Sequence, residues 1–121
     1  MLKLCRVDIE SSKEIFERII EYKNEVIKEL NPVLIILFGS FARGDINEGS
    51  DVDIIAVADF KENFLERIKR LLDININVGL PLEPIGYTPE EFEEMVRRGN
   101  PFLLKVLEEG KILYYSPRKV T

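Results

Sequence analysis

The residues that could do chemistry are concentrated in one stretch, LFGSFARGDINEGSDVDII, residues 37–55. Asp51 and Asp53 stand two apart at the start of an apolar run. On a strand, alternate side chains share a face, so both carboxylates project the same way. Two such carboxylates a few ångströms apart repel and raise one another's pKa. A divalent cation relieves that repulsion, and Mg²⁺ takes one or two carboxylates together with substrate phosphates and water. Gly39-Ser40, ten residues before the acidic pair, supplies the complementary half. Glycine lets a backbone approach a phosphate closely. A helix beginning at Ser40 would add N–H groups favourable to an anion. The Ser40 hydroxyl can donate to a phosphate oxygen, and Arg43, one turn on, can offer a forked cation.

Each feature alone has a plain structural explanation. An Asp-x-Asp at a strand end is commonly just solvated, a Gly-Ser after a strand is usually a turn, and a single Arg usually makes a surface salt bridge. The combination of strand, Gly-Ser, Arg-Gly, ten-residue gap and Asp-x-Asp favours a phosphate cradle facing a metal-binding acid pair. That is equipment for moving a phosphoryl or nucleotidyl group. No Gly-Lys-Ser/Thr follows a glycine loop, and no GxGxxG is present, so the two common nucleotide-binding loops are excluded.

The elements that must position these residues follow from periodicity. Ile15, Ile19, Tyr22, Val26 and Leu30 recur at helical spacing, which predicts a helix over 11–30 opened by a Ser11/Glu14 capping box and stopped by Asn31-Pro32. VLIILF at 33–38 and DVDIIAVA at 51–58 read as strands buried on both faces. Residues 39–50 read as loop with a turn of helix at Ser40. A helix is predicted over 61–72 with Phe64, Leu65, Ile68, Leu71 and Leu72 inward, and short strands over 74–78 and 82–87. Thr88-Pro89-Glu90-Glu91 is a strong helix start, ending at Gly99; Asn100-Pro101 opens another, ending at Gly110. KILYY, 111–115, is a last strand. The expected class is α/β (α+β), a small mixed sheet with helices packed mainly on one face. No linker, repeat or low-complexity tract appears, so residues 1–121 are read as one domain.

Composition narrows the chemistry further. The chain has 121 residues and a net charge of −5, which argues against general nucleic-acid binding. It contains no His, which removes Ser-His-Asp triads and His metal ligands. The single cysteine, Cys5, leaves no disulfide or Cys-cluster zinc site and is expected to be inert. No stretch approaches the roughly 20 apolar residues that span a bilayer, and no signal-like run opens the chain. A cytoplasmic location is the expectation.

Gly39-Ser40-Phe41-Ala42-Arg43-Gly44 followed by Ser50-Asp51-Val52-Asp53 resembles the signature of the minimal nucleotidyltransferases of the polymerase-beta-like superfamily. Leu82 to Phe92 is similar to that family's third acidic strand and following helix, and Phe102 to Tyr115 is similar to its close, so the resemblance spans about residues 12–115. It implies a nucleotidyltransferase-like mixed sheet and transfer of AMP from ATP with two Mg²⁺ ions. Carried over by position, Gly39 and Ser40, with Arg43 and Ser50 beside them, would bind the nucleotide. Asp51, Asp53 and Glu83 would hold the metals and carry the chemistry. Glu83 departs from the Asp common in the family and is one methylene longer. The Pro84 after it lacks a backbone N–H, which suits an edge strand.

The candidate catalytic elements use nearly the whole chain, so the acceptor is expected in trans or across a homo-oligomer. The short members resemble antitoxins paired with HEPN-domain ribonucleases. That resemblance implies adenylylation of a tyrosine on a HEPN partner, with Glu83 or Asp53 helping to deprotonate it. Two alternatives stand beside it: an antitoxin that neutralises its partner by binding alone, and an adenylyltransferase acting on a small molecule such as an aminoglycoside. Phe92, Met95, Val96, Phe102, Leu103, Leu104, Val106 and Leu107 of the last two helices are expected to be mostly core, with any exposed ones forming a partner or dimer surface.

Overall fold

The computed structural model describes residues 9–45 and 49–117, with side chains from residue 13 onward. Cys5 and the Ser11 side chain lie outside the described residues. The elements in chain order are α1 (Ile9–Leu30), β1 (Leu34–Phe38), α2 (Ser40–Arg43), β2 (Val52–Val57), α3 (Phe64–Ile74), a 3₁₀ turn (Asn75–Asn77), β3 (Leu82–Tyr87), α4 (Pro89–Arg97), α5 (Pro101–Glu109) and β4 (Lys111–Tyr115). The four strands form one sheet in the order β3-β2-β1-β4. β1 runs antiparallel to β2 and to β4, while β2 and β3 run parallel. This is the mixed sheet expected from the sequence.

The central strands are buried on both faces, as their unbroken apolar runs require. Ile35, Leu37, Ile54 and Ala56 join a cluster with Ile19, Tyr22 and Val26 of α1 and Leu71 of α3. The alternate residues Ile36, Ile55 and Val57 join a smaller cluster with Leu103 and Val106 of α5, and Phe92, Met95 and Val96 of α4 pack against it. The larger cluster therefore sits under α1 and α3, and α4 and α5 cover the opposite face, so the helices flank the sheet on both sides rather than mainly on one. α1 presents the stripe its spacing predicts, and Tyr22 Oη donates 2.9 Å to the carbonyl of Leu71, tying α1 to α3. Helix α1 starts at Ile9, so Ser11 lies inside it rather than capping it. It stops at Asn31, which adopts φ +47, a left-handed conformation that asparagine tolerates, just before buried Pro32.

Two further expectations need correction. The first concerns the inward face of α3. Leu71 is fully buried, but Phe64, Leu65 and Leu72 are exposed. The inward stripe is instead Arg67, Leu71, Asn75 and Val78, spaced by three and four. Arg67 is only 7% exposed because every side of its guanidinium is satisfied. Its Nε donates to the Glu62 carbonyl at 2.8 Å, Nη1 to the Gly86 carbonyl at 3.3 Å, and Nη1 and Nη2 form a fork on the Glu91 carboxylate at 2.6 and 3.2 Å. The same group lies 5.5 Å from the centre of the Phe60 ring. This bonding to Arg67 holds the Glu91 carboxyl below its usual range. Helix α3 begins after Asn63, whose side chain accepts from the Glu66 N–H at 2.9 Å.

The second correction is at 74–78, which is a helix end and a 3₁₀ turn rather than a strand. The alternating Ile-Asn-Ile-Asn pattern suggests a strand. The Asn75 side chain instead bonds the Leu80 backbone in both directions, donating at 2.8 Å and accepting at 3.0 Å. That local pairing closes the loop into β3 without a ladder. The later elements follow their signals: Thr88 and Glu91 form the capping box of α4, and Asn100 caps α5 ahead of Pro101.

Arg67 joins α3 to β3 and α4, so its loss should weaken the fold as a whole. Arg67→Ala strands the Gly86 carbonyl and removes the cover of Phe60, and is expected to lower the unfolding free energy by about 2–4 kcal/mol. Urea denaturation checks this. Arg67→Lys should recover only part of the loss, because an ammonium cannot reproduce the fork.

Candidate active site

The site forms where the sheet's alternation brings the ends of β1, β2 and β3 together. β1 ends at Phe38, which pairs with Asp53 across the antiparallel ladder. Asp53 pairs in turn with Glu83 across the parallel ladder. Phe38, Asp53 and Glu83 therefore stand side by side, and alternation puts all three on the face that carries α4 and α5. β3 is the sheet's edge. Pro84 is accommodated there, as expected, and Glu83 faces outward at the margin.

The turn after β1 closes against the acid. Gly39 adopts φ +74 and ψ −155, a region open in practice only to glycine. A β-carbon built on Gly39 would lie 3.1 Å from the Asp53 Cγ and 3.4 Å from its Cβ, and in direct overlap with Oδ2. The backbone of the Gly-Ser turn is thus pressed onto the Asp53 carboxylate. α2 follows, with the Ala42 and Arg43 N–H groups bonded back to the Gly39 carbonyl at 3.1 and 3.0 Å. Ser40 and Phe41 precede these bonded donors at the head of a four-residue helix, and a helix this short adds little dipole.

The acids are coupled. The Asp53 carboxyl is pushed up to about 6 by burial first, then by the charge of Glu83 and a hydrogen bond with it, and then by the charge of Asp51, against an opposing pull from Arg43. Asp53 and Glu83 are direct cross-strand neighbours on one face of the sheet. Asp51 precedes β2 by one residue, is exposed, and acts on Asp53 through its charge. Asp53 and Glu83 are an all-oxygen pair of the kind that suits Mg²⁺. Among the described residues no group of three or more His, Cys, Asp or Glu is close enough to hold a metal, so Asp51 does not close the set in this arrangement. Ser50 is half-buried beside Asp51. Arg43 ion-pairs with Asp45 at 3.3 Å and Glu109 at 3.6 Å, both partly solvated and weakly held.

Two cavities share Phe38, Asp53 and Phe102. One, of about 350 Å³, adds Gly39, Ser40, Arg43, Lys105 and Glu109. The other, of about 480 Å³, lies toward β3 and adds Glu83 among aliphatic neighbours. The ring of Phe102 meets that of Phe38 edge-on, with centroids 5.6 Å apart, at the wall between them. Sequence reasoning passed over Lys105 and placed Phe102 in the core or on a partner surface. A signal existed: Phe102, Lys105 and Glu109 recur at three and four along α5, so they share one helix face. Only the packing of α5 over the strand ends reveals that this face looks into the site.

The comparisons agree with this architecture. A family model described as a nucleotidyltransferase domain matches residues 19–114. A protein of Methanocaldococcus jannaschii with the provisional name protein adenylyltransferase is 38% identical over 80 residues, covering 66% of this chain and 76% of that one. A Sulfolobus solfataricus protein provisionally called a nucleotidyltransferase superposes with a TM-score of 0.61 at 23% identity, covering 88% and 86% of the two chains. A toxin–antitoxin structure with AMP-PNP superposes with a TM-score of 0.54 at 22% identity, covering 83% and 73%. These two likenesses are of fold.

The upward shift of Asp53 gives a pH signature for the metal-free protein. A carboxyl at about 6 when folded and 3.8 ordinarily adds its stability below pH 3.8 and loses it as pH rises through 6. Asp53→Asn removes that loss. In chelator, the variant should melt a few degrees above the parent at pH 7–8, and the gap should close toward pH 4. Scanning calorimetry across pH tests this, and a variant that melts lower at pH 8 would contradict the coupling.

Proposed function

The chain belongs to the nucleotidyltransferase domain family and is a nucleotidyltransferase, and from that premise we propose that it transfers AMP from ATP to a hydroxyl on a partner protein. The leading acceptor is a tyrosine of a HEPN-type ribonuclease toxin, which makes the chain a protein-adenylylating antitoxin. The observation that carries the reading is the contact between the Gly39 turn and Asp53, which sets an anion-compatible backbone against an acid pair. The name of the M. jannaschii relative supports transfer to a protein. The toxin–antitoxin fold neighbour, with its ATP analogue, supports ATP and a toxin partner. The resemblance of the short members to HEPN-paired antitoxins supports the tyrosine.

In this reading the polyphosphate lies in the smaller cavity. The Gly39-Ser40 backbone and the Ser40 hydroxyl bind its oxygens, Ser50 supports the same turn, and Arg43 and Lys105 offset its charge. Arg43 leaves its weak pairs with Asp45 and Glu109 to do so. Asp51, Asp53 and Glu83 would hold two Mg²⁺ ions, which when bound neutralise these acids and polarise the α-phosphate. The acceptor oxygen attacks the α-phosphorus in line, its bond to the pyrophosphate oxygen breaks, and Glu83 or Asp53 takes the acceptor's proton. The acceptor comes from another molecule.

A binding-only antitoxin is the second reading. It is favoured by Glu at position 83 and by the absence of a closed three-carboxylate group among the described residues.

Mixing the protein with ATP, Mg²⁺ and a HEPN partner tests the first reading by intact mass. One or more adenylyl groups should appear on the partner, and Asp51→Ala should abolish them and the neutralisation together. If Asp51→Ala neutralises the partner as well as the parent does, binding suffices and the transfer reading fails for this role.

A further inference from the structure

Asp53 lines two cavities that differ in their walls. The smaller holds two cations, Arg43 and Lys105, at the Gly39 turn, together with the Glu109 carboxylate that pairs weakly with Arg43. Among the described residues no cation lines the larger; its walls are Ile68 and Leu72 of α3, Leu82, Pro84 and Ile85 of β3, and Phe102 of α5. Its charges are two carboxylates: Asp53, which it shares with the first cavity, and Glu83, which it does not. A polyphosphate finds the Gly39-Ser40 backbone and two cations in the smaller cavity, and mainly apolar walls in the larger. In-line displacement puts the attacking oxygen opposite the leaving pyrophosphate. With pyrophosphate on the β1 side of Asp53, the attacking oxygen must enter from the β3 side.

We propose that the cavity between α3 and β3 is the acceptor pocket and that its apolar walls select an aromatic hydroxyl over an aliphatic one. This rests on the nucleotidyl-transfer reading above and adds to it the residues that choose the acceptor. A phenol ring covers the walls while its oxygen reaches the Glu83 carboxylate. A serine-like hydroxyl leaves the walls wet and gains little from them. In the transfer, the phenolic oxygen bonds to the α-phosphorus and pyrophosphate departs with its bridging oxygen. The phenolic proton goes to Glu83. Leu72 is 42% exposed, so the pocket opens to solvent along α3 and can admit a side chain from another molecule. The same exposure makes Leu72 the residue to change without disturbing the core.

Methyl-labelled protein in Mg²⁺ provides the test, with N-acetyl-tyrosinamide, N-acetyl-serinamide and AMP-PNP as separate probes followed by NMR. The tyrosine probe should shift the methyls of Ile68, Leu72, Leu82 and Ile85, and the serine probe at equal concentration should not. AMP-PNP should shift the Gly39 and Ser40 amides and leave those methyls in place. Leu72→Gln should weaken the tyrosine probe about tenfold, the loss expected when part of a ring's apolar contact is removed. AMP-PNP affinity should not change. The proposal is overturned if AMP-PNP shifts the methyls, which would make this the base's pocket, or if the tyrosine probe moves them no more than the serine probe. Failure of the nucleotidyl-transfer reading is distinguishable: AMP-PNP would then leave Gly39 and Ser40 unmoved.

Discussion

The site depends on one close approach, between the backbone of Gly39 and the carboxylate of Asp53. No side chain fits between them, and the backbone conformation there excludes other residues independently. That contact fixes where the chain leaves β1, and hence where α2 begins and where Ser40 and Arg43 stand. It also shields Asp53 in part from water. Burial and the neighbouring acids together push its carboxyl up to about 6. An acid held in that state favours any partner that supplies positive charge.

The rest of the fold holds the three strand ends in register. β2 is central, buried on both faces, and bonded to β1 on one side and β3 on the other. Among the described residues β3 has β2 as its one neighbour in the sheet, so Glu83 needs another anchor. Arg67 contributes one by donating to the Gly86 carbonyl of β3 while gripping Glu91 at the start of α4. α5 then folds back over the strand ends and brings Phe102 and Lys105 to the site. Buried polar bonding at Arg67 and apolar packing at Leu103 and Val106 thus serve the same geometry from opposite faces of the sheet.

Much of this was legible in the sequence because the signals were local. The unbroken apolar runs marked β1 and β2, the capping box marked α4, and Asn-Pro and Gly marked the ends of α5. The spacing of Gly39-Ser40 and Asp51-Val52-Asp53 pointed to a turn facing acids, and the turn does meet Asp53. What failed was non-local. The inward face of α3 was misread because Arg67 looks like a surface residue until its partners at Gly86 and Glu91, 19 and 24 positions away, are known. The 74–78 segment was misread because Asn75 satisfies its backbone neighbours with a side chain. The pairing of Glu83 with Asp53 depends on a parallel register that no nearby residue specifies. The place of Lys105 depends on how α5 packs.

The most direct test is at Gly39 itself, by calorimetric titration of AMP-PNP with Mg²⁺ into the parent and into Gly39→Ala. A β-carbon there must strain the backbone and displace Asp53. The account therefore predicts binding weaker by about a hundredfold, in line with a cost of ~2–3 kcal/mol for that conformation, in a chain that keeps its native circular dichroism. A Gly39→Ala protein that binds the nucleotide as tightly as the parent would contradict it.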